Sequence, residues 1–328
     1  MTALVTGANG FVGAAVCRAL LADGQEVRAL VRAGSDQRNL QGLNVERVEG
    51  DIVVGDTLLP AMKGCRSVFH VAADYRLWIP KPEPMYETNV QGSVNVVEAA
   101  HRAGVERMIY TSSVATLGLN PDRSPANEET PVTLADMIGH YKRSKFMAEE
   151  AVRRRGAELG LPVVTVNPST PLGPGDIRPT PTGRIVLDAA AGRMPAFVDT
   201  GLNLVHVDDV ALGHLLALRS GVTGERYILG GTNMTLREIL TTIAERVGRP
   251  PPRLRLPRWC VWPIACLSEA LACFTGREPR ATIDGVRMSA KYMYFSSAKA
   301  EAGLGFRARP AEEAIDGAIA WFRQHRYL

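Results

Sequence analysis

The first two dozen residues constrain this chain more than any other stretch. Ala3-Leu4-Val5 is an apolar run, Thr6-Gly7-Ala8-Asn9-Gly10-Phe11-Val12-Gly13 follows it, and Ala14 to Leu21 has a helical pattern. Strand, glycine turn and helix in that order aim backbone N–H groups and the positive end of a helix dipole at one point, which is how a fold binds a pyrophosphate. Glycines at 7, 10 and 13 clear side chains from that point. Their G-x-x-G-x-x-G spacing is not the commoner G-x-G-x-x-G, and out of context it marks a turn as readily as a nucleotide site. The place of the turn, between a first strand and a first helix, gives it meaning.

A second motif lies far downstream. Tyr141-Lys142-Arg143-Ser144-Lys145 puts a phenol and an ammonium four residues apart, on one face of a helix. Such pairs are common on solvated helices. Paired with the glycine turn, this one reads as an acid/base site beside a dinucleotide, and so as an enzyme.

Between the motifs, short apolar runs alternate with helical patterns. Strands are expected at Leu4–Thr6, Val27–Val31, Val45–Val48, Ser67–Ala72, Arg107–Thr111 and Pro162–Asn167. Helices are expected at Leu58–Met62, from about Met85 to Ala103, and from Tyr141 to about Leu159. Alternation of this kind predicts an α/β fold, a Rossmann-type doubly wound parallel sheet covered on both faces. After Pro168 the chain turns rich in proline and glycine, which predicts its exit from the sheet into a smaller mixed lobe. Asn203–Val207 is a further short strand, Arg226–Gly230 a last strand returning to the sheet, and Thr235 with Glu238 a capping box opening a helix. The division expected is a dinucleotide-binding domain over 1–168, with 203–234 returning to it, and a substrate-binding lobe from 169–202 and 235–328.

Composition narrows the class. At 328 residues, 46% hydrophobic and 22% charged, the chain is long enough for a packed globular core. A net charge of +4, with no basic run beyond Arg153-Arg154-Arg155, gives no footprint for nucleic acid. Five cysteines form no C-x-x-C pair, so neither a metal site nor a disulfide framework is expected, and withdrawn thiols in a reducing cytoplasm are. No signal peptide is expected, because the first strand begins by residue 3. Trp259 to Phe274 is nearly all apolar but shorter than a bilayer span and interrupted by Pro263 and Glu269. A buried helix of the lobe is the plainer reading. A peripheral contact with the inner face of a membrane is the alternative, suggested by Arg253, Arg255, Arg258, Trp259 and Trp262.

Other pieces fall at strand ends, where an open parallel sheet binds its ligands. Gly50-Asp51-Ile52 follows the third strand, His70-Val71-Ala72-Ala73 ends the fourth with small residues, Asn89 opens the next helix, and Thr111-Ser112-Ser113 ends the fifth strand. With these in place the chain resembles the extended short-chain dehydrogenase/reductase superfamily over essentially its whole length. The stretches HVAADYRLW (70–78), VNPSTPLGPGDIRPTPTGRIV (166–186) and VDTGLNLVHVDDVALGHLLAL (198–218) are most similar to its dihydroflavonol-4-reductase-like branch, and within that to the hopanoid-associated sugar epimerase family of bacteria.

The resemblance implies a catalytic set of Ser113, Tyr141 and Lys145. Tyr141 would exchange a proton with the substrate oxygen, Ser113 would hold that oxygen, and Lys145, with the positive ring of an oxidised nicotinamide, would draw the phenol down from its usual pKa near ~10. It implies a cofactor held by Gly7, Asn9, Gly10, Phe11, Val12, Gly13, Arg32, Asp51, Ile52, Ala72, Ala73, Asn89, Thr111, Ser112, Tyr141, Lys145, Pro168 and Ser169. Tyr75, Trp78, Ser113 and Thr170 would meet the substrate. A homodimer built on the Tyr141 helix and the 85–103 helix is a family expectation. The cofactor is expected to be NADP(H) rather than NAD(H). Val31 and Arg32 stand where a carboxylate usually holds the ribose 2′-hydroxyl, and a guanidinium there suits a 2′-phosphate, with Ser35 or Arg38 adding to it.

Three reactions share this scaffold. Val114-Ala115-Thr116-Leu117 after Ser113 holds no Asp-Glu pair, which disfavours a dehydratase. An NADPH site favours net reduction of a ketone or aldehyde, in hopanoid side-chain or related lipid or sugar metabolism. A nucleotide-sugar epimerase working by transient C4 oxidation is the alternative. A catalytically silent NADP(H)-binding regulator is the third reading, against which the intact Tyr141 and Lys145 speak.

Overall fold

The computed structural model describes residues 1–276, 279 and 281–328. Six strands, β1 (Thr2–Thr6), β2 (Glu26–Val31), β3 (Glu46–Glu49), β4 (Ser67–His70), β5 (Arg107–Thr111) and β6 (Val163–Pro168), join a returning strand, Arg226–Leu229, in one parallel sheet. Its order is Arg226–Leu229, β6, β5, β4, β1, β2, β3. Strand order reverses between β1 and β4, and that switch point opens a crevice at the carboxyl ends of the strands. Thr6 pairs with His70 at its mouth.

The period-two pattern of the strands feeds two cores. Ala3 and Val5 face helices Phe11–Ala22 and Val207–Ser220, packing with Val16, Leu20 and Val210. Leu4 faces the opposite side, packing with Val68 of β4, Met108 of β5, and Val96, Val97 and Val152 from helices Gly92–Arg102 and Gly139–Leu159. Both faces are therefore dry, as a parallel sheet requires.

The lobe has its own sheet. Gly201–His206 pairs with Thr232–Thr235, Thr170–Leu172 and Tyr292–Met293. Helices Pro181–Ala190, Leu236–Arg246 and Ala311–Gln324 close a third core around Val186, Ile239, Ile315 and Phe322. Thr235 and Glu238 form the expected capping box. Segment 203–234 divides: its first strand joins the lobe sheet, to which Thr170–Leu172 offers an edge, and Thr232–Thr235 pairs there too, while helix Val207–Ser220 packs on the main sheet and Arg226–Leu229 joins it.

Two expectations change. The helix beginning near Met85 is interrupted by a π-turn, Glu87–Gln91, so Asn89 lies inside a helical run and caps nothing. The apolar segment forms helix Arg258–Thr275, but it is not buried. Its buried residues are the small Ala265 and Ala272, while Trp259 is 76%, Leu267 63% and Phe274 90% exposed. Cys266 and Cys273, expected to be withdrawn, are exposed with them. The inward side packs by small and polar groups: Ser268 accepts from the Ala281 N–H, and Glu269 from the Ile283 N–H at 2.7 Å. The large apolar side chains are left pointing out.

Candidate active site

The glycine turn is tight enough to exclude any side chain. Gly7 has φ +64, and a Cβ there would stand 2.8 Å from the Ala72 Cα. A Cβ on Gly13 would stand 2.1 Å from the Gly7 carbonyl oxygen. The turn thus packs β1 against the end of β4 and leaves the N-terminus of helix Phe11–Ala22 bare, with neither a side-chain cap nor an acidic residue in its first turn. Asn9 donates to the Asp36 carbonyl at 2.8 Å, tying the turn to the segment after β2.

A buried relay braces this corner. The Thr6 hydroxyl accepts from the Val71 and Ala72 N–H groups and bonds His70 Nδ1 at 2.7 Å; His70 Nε2 meets Ser93 Oγ at 2.8 Å, and Ser93 donates to the Asn89 carbonyl. The pattern fixes His70 as the Nε2–H tautomer. Burial, helped by the charge of Lys145, lowers its pKa to about 3, so it stays neutral. Asn89 is filled on every side: Oδ1 accepts from the Asp74 N–H at 2.7 Å, and Nδ2 donates to the Asp74 carbonyl and to Ser144 Oγ, both at 2.9 Å. It joins the loop after β4 to the helix that carries Tyr141.

Ser113, Tyr141 and Lys145 come together at the end of β5. The Ser113 side chain lies close enough to the Tyr141 phenol to act on its ionisation, and its oxygen accepts from the Ala115 N–H at 3.1 Å. Lys145 is buried, donates to the Thr111 carbonyl at 2.9 Å and lies 3.4 Å from the Tyr110 hydroxyl. Burial lowers its pKa to about 8, against an opposing pull from Glu149. Desolvation raises the phenol of Tyr141 above its ordinary value, the nearby Ser113 hydroxyl opposes that more weakly, and the Lys145 ammonium is turned to Thr111 and Tyr110.

Behind them lies a group the sequence reading missed. Glu149, one turn beyond Lys145, is 1% exposed. It accepts from Thr116 Oγ1 at 2.8 Å, Asn167 Nδ2 at 3.0 Å and Arg226 at 3.2 Å. Asn167 also donates to the Ser113 carbonyl at 3.1 Å. One carboxylate thereby fixes the Tyr141 helix, the Ser113 loop, β6 and the returning strand. A lone acid on the inner stripe of a helix was the available signal.

The other candidates divide. Arg32 is exposed beyond β2, and no partner for its guanidinium exists among the described residues; Ser35 turns its hydroxyl to the Arg32 carbonyl, and Arg38 is held by Asp36 at 2.7 Å. Asp51 accepts from the Val53 N–H, and Ile52 is buried against Gly92. The Thr111 hydroxyl points to the far face of the sheet, where it bonds His214 at 2.8 Å. Tyr75 is 44% exposed and feels the charges of Asp176 and Arg178, which sets its loop against the turn-rich segment after β6; Trp78 is half-buried on that loop. Pro168 ends β6 and Thr170 opens the strand beside it.

Three buried polar atoms at the ends of β5 and β6 have no partner: Ser112 Oγ, Asn167 Oδ1 and Ser169 Oγ. Buried polar atoms are normally paired. Together with the bare helix end and the side-chain-free turn, they fit a polar dinucleotide lying across the strand ends.

Comparison with known proteins agrees with this geometry. The model of the NAD dependent epimerase/dehydratase family matches residues 3–230. A putative dihydroflavonol 4-reductase of Synechocystis sp. is 45% identical over 99% of this chain and 95% of its own length. Sterol demethylase protein B of Methylococcus capsulatus is 37% identical over 99% of both chains. The crystal structure of gox2253 superposes with a TM-score of 0.90 at 53% identity, covering 100% of this chain and 99% of that one.

Proposed function

We infer the function from one premise: the chain belongs to the NAD dependent epimerase/dehydratase family and is an extended short-chain dehydrogenase/reductase. We propose an NADP(H)-dependent reductase of a ketone or aldehyde. Arg32 carries the preference: it stands exposed beyond β2 where a carboxylate would suit NAD(H), which favours NADP(H) and with it net reduction. NADP(H), when bound, supplies the hydride. Tyr141 would give the proton, Ser113 would orient the carbonyl oxygen, and Lys145, together with the positive ring of the oxidised cofactor, would stabilise the phenolate left behind. Gly7, Gly10 and Gly13 with the bare helix end would hold the pyrophosphate. Arg32, free of partners, would hold the 2′-phosphate that distinguishes NADP(H). Asn89 and Glu149 keep these groups in register without touching substrate.

Similarity to a sterol demethylase protein and to the hopanoid-associated family favours the polar side chain of a polycyclic lipid as substrate. The test is NADPH oxidation by the purified chain over a panel of ketones and aldehydes. Tyr141→Phe is expected to lose turnover at least ~100-fold while keeping NADPH affinity. The epimerase reading, favoured by the family description, predicts tightly held NAD released on denaturation and no net NADPH oxidation; that result would replace the reductase.

We also propose that helix Arg258–Thr275 lies on an anionic membrane surface. Its outward face carries Trp259, Trp262, Leu267, Leu271 and Phe274, its one acid, Glu269, is turned inward, and Arg253 and Arg258 stand exposed at its start. No helix among the described residues is long and apolar enough to cross a membrane. An interfacial helix has this shape: large apolar groups on one side, aromatic and basic groups at the rim. Co-flotation with phosphatidylglycerol vesicles is expected for the full chain and lost in a Trp259→Glu/Leu267→Glu/Phe274→Glu variant. A variant that still floats, or a wild type that never does, would sink this reading.

A further inference from the structure

A second cavity, of about 110 Å³, sits beside the candidate site between the Ser113 loop and the start of the Tyr141 helix. Its wall carries Ala115, Leu117, Met137 and Ile138 among a larger share of polar surface, and two cations close it, Lys142 and Lys291. Lys142 directly follows Tyr141 in the helix, and Ala115 is two residues beyond Ser113. Lys291 comes from the lobe, next to the strand Tyr292–Met293. Among the described residues neither ammonium has a hydrogen bond or an ion pair within 4 Å. Asp136 also lines the cavity, but its carboxylate is turned to Thr133, accepting from its N–H at 2.9 Å and its hydroxyl at 2.7 Å.

The two ammonium groups repel each other across this small space, and the one acid beside them, Asp136, feels the charge of Lys291 but takes its hydrogen bonds from Thr133. Burial and the neighbouring charge of Lys291 push Lys142 down to about 8. Lys142 comes from the helix that carries Tyr141 and Lys291 from the lobe, so an occupant would be held between them beside the candidate site. Counting Asp136, the lining carries one net positive charge, which suits a monoanion better than a diphosphate.

We propose that this cavity binds a carboxylate of the substrate, gripped by Lys142 from the Tyr141 helix and Lys291 from the lobe. The substrate class is then a keto acid, an apolar body whose carboxylate lies near the reacting carbonyl. This rests on the reductase reading for the carbonyl but not for the carboxylate, so two measurements separate them. The first is calorimetric binding of octanoate, and separately of inorganic pyrophosphate, to the full chain saturated with NADP⁺. Octanoate is expected to bind the wild type, and Lys142→Met and Lys291→Met are each expected to weaken it about tenfold or more, as losing a charge-assisted hydrogen bond does. Unchanged NADP⁺ affinity of the variants shows that they fold. The second is NADPH oxidation with 3-oxooctanoate against its methyl ester, where the acid-to-ester ratio of kcat/KM is expected to fall about tenfold in either variant. No NADPH oxidation with either compound, alongside lysine-dependent octanoate binding, would overturn the reductase and keep the carboxylate site. Absent octanoate binding, octanoate binding indifferent to both lysines, or lysine-dependent binding of pyrophosphate alone would overturn the carboxylate site.

Discussion

Lys145 is 3% exposed and still hydrogen-bonded to Thr111 and Tyr110, so its charge is held at a cost in desolvation. Its pKa of about 8 sits below the value in an unfolded chain. Between the two, the unfolded state binds more protons, so stability contributed by this group rises with pH there, while the charge is lost. If the charged ammonium assists Tyr141, turnover falls as pH rises through about 8. Lys145→Met is expected to remove that limb and nearly all activity, while its melting temperature holds or rises; a pH–rate profile beside a thermal melt checks both. Arg32 makes a separate residue-scale prediction. Arg32→Asp exchanges a phosphate partner for a ribose-hydroxyl partner, and the NADPH/NADH ratio of kcat/KM is expected to fall at least ~10-fold. Tyr141, Lys145 and Ser113 were legible as residue types at their spacings. The sense of the Tyr141 shift was not, because it depends on where the ammonium points and how dry the site is.

At the scale of elements, the helix Gly139–Leu159 is held as much by polar bonds as by packing. Ser144 meets Asn89 of the π-turn, and Glu149 meets Thr116, Asn167 and Arg226. Removing Glu149 takes from Arg226 its carboxylate partner and from Thr116 and Asn167 the acceptor they share. Glu149→Ala is expected to cost about 3–5 kcal/mol, read as a shift in the urea midpoint, with activity falling through loss of the Ser113 position. Periodicity placed the strands, the Leu58–Met62 helix and the Thr235 cap to within a residue or two, since these follow from local apolar spacing and capping chemistry. It could not show the π-turn, which is set by Asn89 reaching both the Asp74 backbone and a helix 55 residues on. Nor could it pair Gly201–His206 with the lobe, because strand partners are chosen by tertiary edges.

For the whole molecule, the net charge of +4 says little, but its distribution matters. Arginines precede the exposed helix Arg258–Thr275, so attachment to anionic vesicles is expected to weaken with salt yet survive it, as apolar insertion is unscreened while the basic rim is not. Flotation at low and high ionic strength checks this; complete release by salt would leave charge alone as the attachment. We propose that the two bodies, 1–168 with most of 203–234 and the lobe from 169–202 and 235–328, work as cofactor and substrate halves. The sequence by itself determined the doubly wound sheet and the glycine turn at its switch point, because each is written in local spacing or in a motif contiguous along the chain, and its resemblance to the family pointed to Ser113, Tyr141 and Lys145. Tertiary structure alone decided that the apolar segment 258–275 faces outward, that Lys142 and Lys291 meet across one cavity, and that Glu149 ties four segments together. Those outcomes depend on which faces the lobe covers and which distant side chains arrive there, and residues far apart in the chain carry no local trace of it.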